Sequence, residues 1–492
     1  MFGNYITIPH LLVFIPLITG LLAFFIKDET RVKNWSFLAA LVTMAVTILG
    51  VYYSKNEALS GRTFNYEWLR YIGASFSVSF DGMGRLLTLL TGISFPLIFL
   101  ATRNQSYKSP HAFYGLMLLA QCGLMGVFLS TDALLFYFFW ELALIPVYFL
   151  SSRWGGEKRI QATFKFFVYT FAGSLLMLIG IIFIYFKTNA TASAEHSFSI
   201  FQFHTALLSP ANQQWLFWLF FVAFAIKMPI FPFHTWQPDA YEQSPTPVTM
   251  VLSGIMVKMG LFGIVRWVLP MFPAAVIKFD NIAIGLSIVG VVYASLVAIR
   301  QDDLKRLVAY SSIAHIGLMS AALFTRQEIA FEGVMIQMFN HGINIIGMWI
   351  VIELIERQLG IRKLSELGGI AHKAPALTIA LVVMAFANIA LPLTNAFVGE
   401  FMMFNGLFRF NVWYTAVAGV SIILAAVYTL NMLQKVLYGE TNAITVKMTD
   451  ISLNEKLALT VLIAAVFIIG VFPQPFIDLT KDSVAFLMTR YK

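Results

Sequence analysis

Sulfur ligands are almost absent: the 492-residue chain has one cysteine, Cys122, and it lies inside an apolar run. No group of Cys or His has the spacing of a zinc or iron–sulfur site, so the chain is not expected to carry electrons by sulfur ligation. Charge is scarce too, at 12% Asp, Glu, Lys and Arg against roughly 25% in a soluble domain. There is no Walker-type glycine-rich loop and no large soluble domain to bind nucleotide, which leaves an ion gradient or a partner protein as the energy source. No basic stretch precedes the first apolar run, so a cleaved signal peptide is not expected.

What remains is 59% hydrophobic, the composition of a polytopic membrane protein. At about 20 apolar residues per span the chain divides into about fourteen helices. These fall near Ile8–Phe25, Trp35–Tyr53, Met83–Ala101, Ala112–Ser130, Ala133–Phe149, Thr163–Phe186, Trp215–Phe233, Val248–Leu269, Ile282–Ile299, Leu304–Phe324, Ile329–Ile352, Pro375–Leu407 with a break, Trp413–Leu437 and Lys456–Phe472. With the N-terminus outside, Lys27, Arg31, Arg103, Lys158, Arg159, Arg300, Arg362 and Lys435 all fall on the cytoplasmic side, as the positive-inside rule expects. The net charge of +8 therefore belongs to membrane-side loops and not to a nucleic-acid patch.

The central stretch is FVAFAIKMPIFPFHTWQPDAY, Phe221 to Tyr241. It starts as a spanning helix, places Lys227 inside the apolar run and follows it with Pro229 and Pro232, which cannot continue the hydrogen-bond ladder. A helix broken beside a charge points to a hydrated intramembrane site, since freed backbone groups at membrane depth must line a cavity or be packed in protein. The bland alternative is a kinked helix whose lysine snorkels. Glu141, in ALLFYFFWELALIPVYFL, has no basic residue on its own helix, and an unpaired carboxylate there costs roughly 2.5–3.5 kcal/mol. Lys227 is its natural partner, either for proton handling or as a structural ion pair. Lys165 and Tyr169 share a helix face and could serve the same cavity, with snorkelling the more ordinary role for Lys165. Asp81 and Arg85, four apart, read as a mutually neutralised pair at an interface.

Lys258 sits mid-span among Gly254, Gly260 and Gly263, small residues that admit close helix contacts. Two lysines at one depth repel, which favours a protonation switch at one of them. His315 in SSIAHIGLMS and His341 in QMFNHGINIIG lie near the membrane middle, open to readings as relay stations, packed neutral histidines or haem ligands. The twelfth span breaks at ALPLTNAF and then carries Glu400. Counted from the fourth span, Lys227 and Glu400 each stand on the fourth helix of a group of five, and an odd number of spans inverts the second group. The expected divisions are residues 1–111, a three-helix region; 112–270 and 271–440, the two inverted repeats; and 441–492, a last helix and tail.

The segments FFWELALIPVYFL, AIKMPIFPFHTWQPDAY, QDDLKRLVAYSSIAHIGLM and FVGEF resemble the antiporter-like membrane subunits of respiratory complex I (NADH:quinone oxidoreductase), of the chain M or subunit 4 type, from about Gly84 to Lys435. The resemblance implies an all-α polytopic subunit that translocates protons, with Glu141 and Lys227 as input pair, Lys258, His315 and His341 as central axis and Glu400 as output group. It implies no redox cofactor in this chain, with FMN, iron–sulfur clusters and quinone in partner subunits. It also implies chain L-type and chain N-type neighbours, no nucleic acid, and a place in the bacterial cytoplasmic membrane. Sister subunits usually carry lysine where Glu400 stands. The family commonly has glycine where Leu393 and Ala396 stand and histidine where Tyr241 stands. A subunit of a multisubunit cation/proton antiporter or of a membrane-bound hydrogenase is the alternative, and a purely structural subunit is a third possibility.

Overall fold

The computed structural model describes residues 7–53, 63–189 and 195–491. Helices occupy every stretch expected to span: Ile8–Ala23, Glu29–Tyr53, Gly82–Ala101, Pro110–Leu129, Ala133–Trp154, Arg159–Tyr185, Pro210–Lys227, Thr246–Met271, Pro273–Ile299, Leu304–Leu323, Glu328–Leu359, Pro375–Asn388 followed by Asn395–Phe410, Val412–Leu437 and Leu453–Val471. Among the described residues eleven helices are long and apolar enough to cross a bilayer unaided, while Ile8–Ala23 and Pro375–Asn388 are shorter. Burial sorts them into two classes. In Thr246–Met271 and Glu328–Leu359 the apolar windows are 100% and 94% buried, so these two form the centre. The outer helices leave apolar side chains such as Leu38, Phe164, Ile179, Ile423 and Leu430 exposed, the surface a bilayer covers.

One element departs from the all-helical expectation. Between the second and third spans, Thr63–Leu69 and Ala74–Ser79 pair as an antiparallel hairpin, whose period-two pattern is too short to stand out beside the spans. The hairpin is tied down by Asp132, which accepts from the Ser75 backbone N–H at 2.9 Å and caps the helix Ala133–Trp154 through Leu134 and Leu135.

The loops on the basic-rich side are joined by an ion network. Arg362 pairs with Glu242 at 2.7 Å, Glu356 at 3.2 Å and Asp303. Arg306 bridges Asp239 at 3.1 Å and Glu242 at 2.8 Å, and Lys305 meets Glu356 at 2.6 Å. Lys165 reaches this network from its spanning helix, the interfacial placement that snorkelling describes: its ammonium donates to Asp239 and to the Thr235 carbonyl, both at 2.8 Å. On the other face, Asp81 caps the third span through Gly84 and pairs with Arg266, a partner that sequence spacing does not suggest. Arg85 donates to the Leu479 carbonyl at 3.1 Å.

Two positions control the second broken helix. Leu393 has φ +76° and is 68% exposed, a left-handed conformation that glycine adopts without strain. This accounts for the glycine expected there, and Leu393→Gly should raise the thermal midpoint of the detergent-solubilised protein by the equivalent of about 1 kcal/mol. A fall in the midpoint would mean that Leu393 makes contacts worth more than its strain. Asp450 supplies the cap that Ala374 cannot, accepting from the backbone N–H groups of Ala376 at 3.0 Å and Leu377 at 3.1 Å. Burial opposes ionisation of Asp450, but the N–H groups of Ala376, Ile451 and Leu377 outweigh it and hold the carboxyl below its ordinary value. A depressed carboxylate stabilises the fold above about pH 4 and loses that contribution as pH falls through the lower folded value. Asp450→Ala should therefore cost about 1 kcal/mol at neutral pH and have little effect at the acid end, which melting curves across pH would read.

Candidate functional site

The helix Pro210–Lys227 stops at Lys227, and the chain resumes helically at Trp236–Gln243. The break is satisfied from both sides. Ile230 N–H returns to the Ala225 carbonyl at 3.1 Å, and the Trp236 indole N–H donates to the Ile226 carbonyl at 2.9 Å. Gly260 makes this possible, because a Cβ there would lie 2.7 Å from the Met228 nitrogen and the Phe224 oxygen. The central helix thus presses on the break itself.

Lys227 is 1% exposed, and its Nζ meets no acceptor among the described residues. The rings of Trp140 and Phe166 lie 5.7 and 5.6 Å from it, partial compensation by cation–π attraction. Glu141 follows Trp140 and likewise has a buried carboxylate oxygen without a partner. Each of the two lies within range of the other's charge. The structure makes no direct ion pair between them, so the expected pairing takes the form of proximity and not contact.

Lys258 solves the same problem differently. Its helix changes to π geometry over Leu252–Met256 and again over Ile264–Val268, a loosening common at functional sites that no sequence pattern announces. The Lys258 ammonium donates to the Ser253 carbonyl and reaches His341 Nδ1, both at 2.8 Å. With the ammonium donating, Nδ1 is the acceptor and Nε2 carries the proton toward Ser312 Oγ, 3.2 Å away. His315 stands one turn beyond Ser312, its ring 5.7 Å from that of His341. His315 Nδ1 lies 3.0 Å from Glu400 Oε1, which also accepts from Gln337 at 3.5 Å. Four of the six expected residues therefore fall along one line in two bonded groups, Lys258 with His341 and His315 with Glu400; Ser312, which sequence reasoning misses, contacts His341 and, among the described residues, has no hydrogen bond to His315. His341 has both ring nitrogens engaged, which argues against a haem-ligand role for the pair.

Glu141 and Lys227 form a second cluster beside this line. Among the described residues no hydrogen bond joins Lys227 to Lys258.

The second break lies between Asn388 and Asn395. Asn340 donates to the Asn395 carbonyl at 2.7 Å, Asn344 to the Ala387 carbonyl at 3.2 Å, and Asn388 to Ser311 Oγ at 2.9 Å. Tyr428 adds a second donor to Ser311 at 3.0 Å. Asn340 and Asn344 flank His341 in its own motif, a signal by which they are readable as supports for non-helical backbone. Tyr241, at the position where the family commonly has histidine, is fully buried with its hydroxyl beside the Gln237 side chain and its ring edge-on to Trp349.

Comparison with known proteins places these features in context. Residues 130–425 match the family model described as NADH:quinone oxidoreductase/Mrp antiporter, transmembrane. The chain is 34% identical to the NADH-quinone oxidoreductase subunit M of Rickettsia prowazekii (strain Madrid E), covering 97% of this chain and 98% of that one. It is also 34% identical to the F(420)H(2) dehydrogenase subunit M of Methanosarcina mazei, covering 96% of each. Among solved structures, a chain of respiratory complex I from Thermus thermophilus aligns with a TM-score of 0.88 at 25% identity, over 97% of this chain and 99% of that chain.

The asparagine supports give a direct test of how the second break is held. Asn340→Ala removes the donor to a buried carbonyl and should cost about 1–3 kcal/mol, seen as a lower melting temperature in detergent. An unchanged melting temperature would show that the break is held without it.

Proposed function

The chain belongs to the NADH:quinone oxidoreductase/Mrp antiporter family of membrane subunits, and on that footing we propose that it is a proton-pumping membrane-arm subunit whose path runs through Lys258, His341, His315 and Glu400. The observation that supports this reading is two hydrogen-bonded groups end to end, Lys258–His341–Ser312 and His315–Glu400, with the two imidazole rings 5.7 Å apart. A neutral imidazole accepts at one nitrogen while it releases at the other, and its ordinary pKa of about 6.5 keeps both steps cheap near neutral pH. Glu141 and Lys227 form the input pair. When a charge change in a neighbouring subunit draws Glu141 away, Lys227 keeps only ring faces around its ammonium and gives up its proton toward Lys258. Lys258 hands it to His341 Nδ1, the Nε2 proton leaves through Ser312 to His315, and Glu400 receives it.

The energies are of the right size. Moving one charge against 100 mV takes about 2.3 kcal/mol, and a swing of two pKa units supplies about 2.7 kcal/mol. In this reading the chain carries out no redox step itself. FMN, iron–sulfur clusters and quinone belong to partner subunits, chain L-type and N-type subunits flank this one, and the membrane is the bacterial cytoplasmic membrane. Residues 112–270 and 271–440 are the two inverted halves, each with its break beside an ionisable group. A stand-alone cation antiporter would instead show sodium or potassium flux from this chain alone in liposomes, where a complex subunit is inert.

Two measurements test the path in vesicles that hold the assembled complex. Glu141→Gln and Lys227→Ala should each remove most proton pumping without loss of assembly on a native gel, and full pumping with either change would sink the input assignment. His341→Ala should slow pumping and quinone reduction together, since a blocked relay in a tightly coupled machine stops the redox step, with His341→Gln partly active if water bridges the gap. Normal pumping in an assembled His341→Ala complex would remove this residue from the path.

A further inference from the structure

Glu353 is a part-buried carboxylate for which the path above has no use. It lies at the basic-rich end of Glu328–Leu359, the helix that carries His341. Its Oε1 accepts from the Gln105 side chain, and Thr246 lies beside it at the start of the Lys258 helix. Other carboxylates at this end, Glu356, Glu242, Asp239, Asp303 and Glu455, each pair with lysine or arginine. Glu353 is held by neutral donors instead. A carboxylate pinned by a guanidinium stays ionised, whereas one held by an amide and a hydroxyl is free to cycle.

The two central helices run antiparallel in one register. Lys258 meets His341 at 2.8 Å. A Cβ on Gly254 would strike Ile346 at 2.7 Å, and one on Gly342 would lie 2.9 Å from the Gly254 oxygen. Thr246 faces Glu353. Thr246 to Lys258 and His341 to Glu353 are both twelve residues, so Glu353 lies about 18 Å below the lysine–histidine contact along the same seam at 1.5 Å per residue. Polar groups line the interval. Trp349, one turn above Glu353, has its indole N–H buried with no partner among the described residues, and the Tyr241 ring that meets it edge-on carries a buried hydroxyl beside the Gln237 side chain. Thr249 and Ser253 follow on the other helix, and the Ser253 carbonyl already holds the Lys258 ammonium. These are anchors of the kind a water chain needs.

We propose that Glu353 takes up protons from the basic-rich side and delivers them to Lys258 along the seam between Thr246–Met271 and Glu328–Leu359. The inference rests on the proposed path through Lys258 and adds a second input to it, independent of Glu141 and Lys227. A solvent proton neutralises the Glu353 carboxylate. That carboxyl then releases a proton through water, the Tyr241 hydroxyl and the Thr249 and Ser253 positions to the free amine of Lys258, and the carboxylate is restored. The charged and titratable groups facing Glu353 are Lys305, Tyr107 and, on its own helix, Glu356 and Arg357, with Glu455 behind Arg357. Lys305 and Arg357 already have carboxylate partners, so they draw protons away from Glu353 less than their charge alone would.

The test uses vesicles with the assembled complex, with pumping and quinone reductase rate measured as the pH on the basic-rich side is raised. Glu353→Gln keeps the bonding capacity toward Gln105 and Thr246 but carries no proton, so pumping should fall about tenfold at alkaline pH and much less at acid pH, below the hundredfold typical of a lost proton donor because water partly substitutes. Glu353→Asp should restore most of the rate. Trp349→Phe, which removes one N–H from the seam, should give a smaller loss with the same pH direction and serves if Glu353→Gln does not assemble. Lys258→Met is the control for the underlying path. If Lys258→Met stops pumping while Glu353→Gln and Trp349→Phe match wild type at every pH, Glu353 is a structural clasp and the second input is overturned while the path stands. If Lys258→Met pumps normally, the path itself fails and this inference with it.

Discussion

An ammonium cannot be placed in hydrocarbon without something to replace its water, and the centre of this molecule is arranged around that constraint. Lys258 answers it with a carbonyl and an imidazole at hydrogen-bond distance. Among the described residues Lys227 has no acceptor, only two ring faces nearly 6 Å away. Ring faces recover about 1–2 kcal/mol of what desolvation takes. The two lysines are therefore held in different ways, one by hydrogen bonds and the other by ring faces and the nearby charge of Glu141. The difference follows from which side chains the backbone brings near each lysine, and it needs no motion to exist.

The backbone obeys a related constraint. A helix interrupted inside a membrane frees carbonyls that must be satisfied by the protein, and both interruptions here are satisfied from neighbouring elements: by Trp236 at the first, by Asn340 and Asn344 at the second. Asn340 and Asn344 sit either side of His341, and Asn388 reaches Ser311, next to the Ser312 that His341 contacts. Two of the side chains that hold the second break open, Asn340 and Asn344, thus stand on the helix that carries His341.

The positions of the spans are legible in the sequence because a run of about 20 apolar residues fits little besides a bilayer crossing. So are both breaks: Pro229 and Pro232 cannot donate to a ladder, and ALPLTNAF interrupts an overlong run. Lys227, Glu141, Lys258, His315, His341 and Glu400 stand out because ionisable groups are rare at membrane depth. The links between them are not legible. Ser312 and Ser253 matter through one hydroxyl and one carbonyl placed by helix packing, and the π turns around Lys258 leave no mark in composition. The hairpin at Thr63–Ser79 escapes a reading by period because its two strands are short. The interfacial role of Lys165 is legible, but its partner Asp239 lies 74 positions away in sequence and is not. Contacts between distant segments are what a single sequence hides.

Glu400 and Lys227 occupy comparable places, each beside an interruption, yet their surroundings differ in kind. Glu400 is joined to His315 and Gln337, so a proton arriving there finds a partner already bonded. Among the described residues Lys227 is joined to no acceptor, so its charge is governed by Glu141 at a distance and by whatever water enters. One break thus holds its ionisable group by hydrogen bonds, and the other leaves it to charge at a distance. A change of charge near Glu141 would therefore act on Lys227 through space, with no hydrogen bond between the two to break.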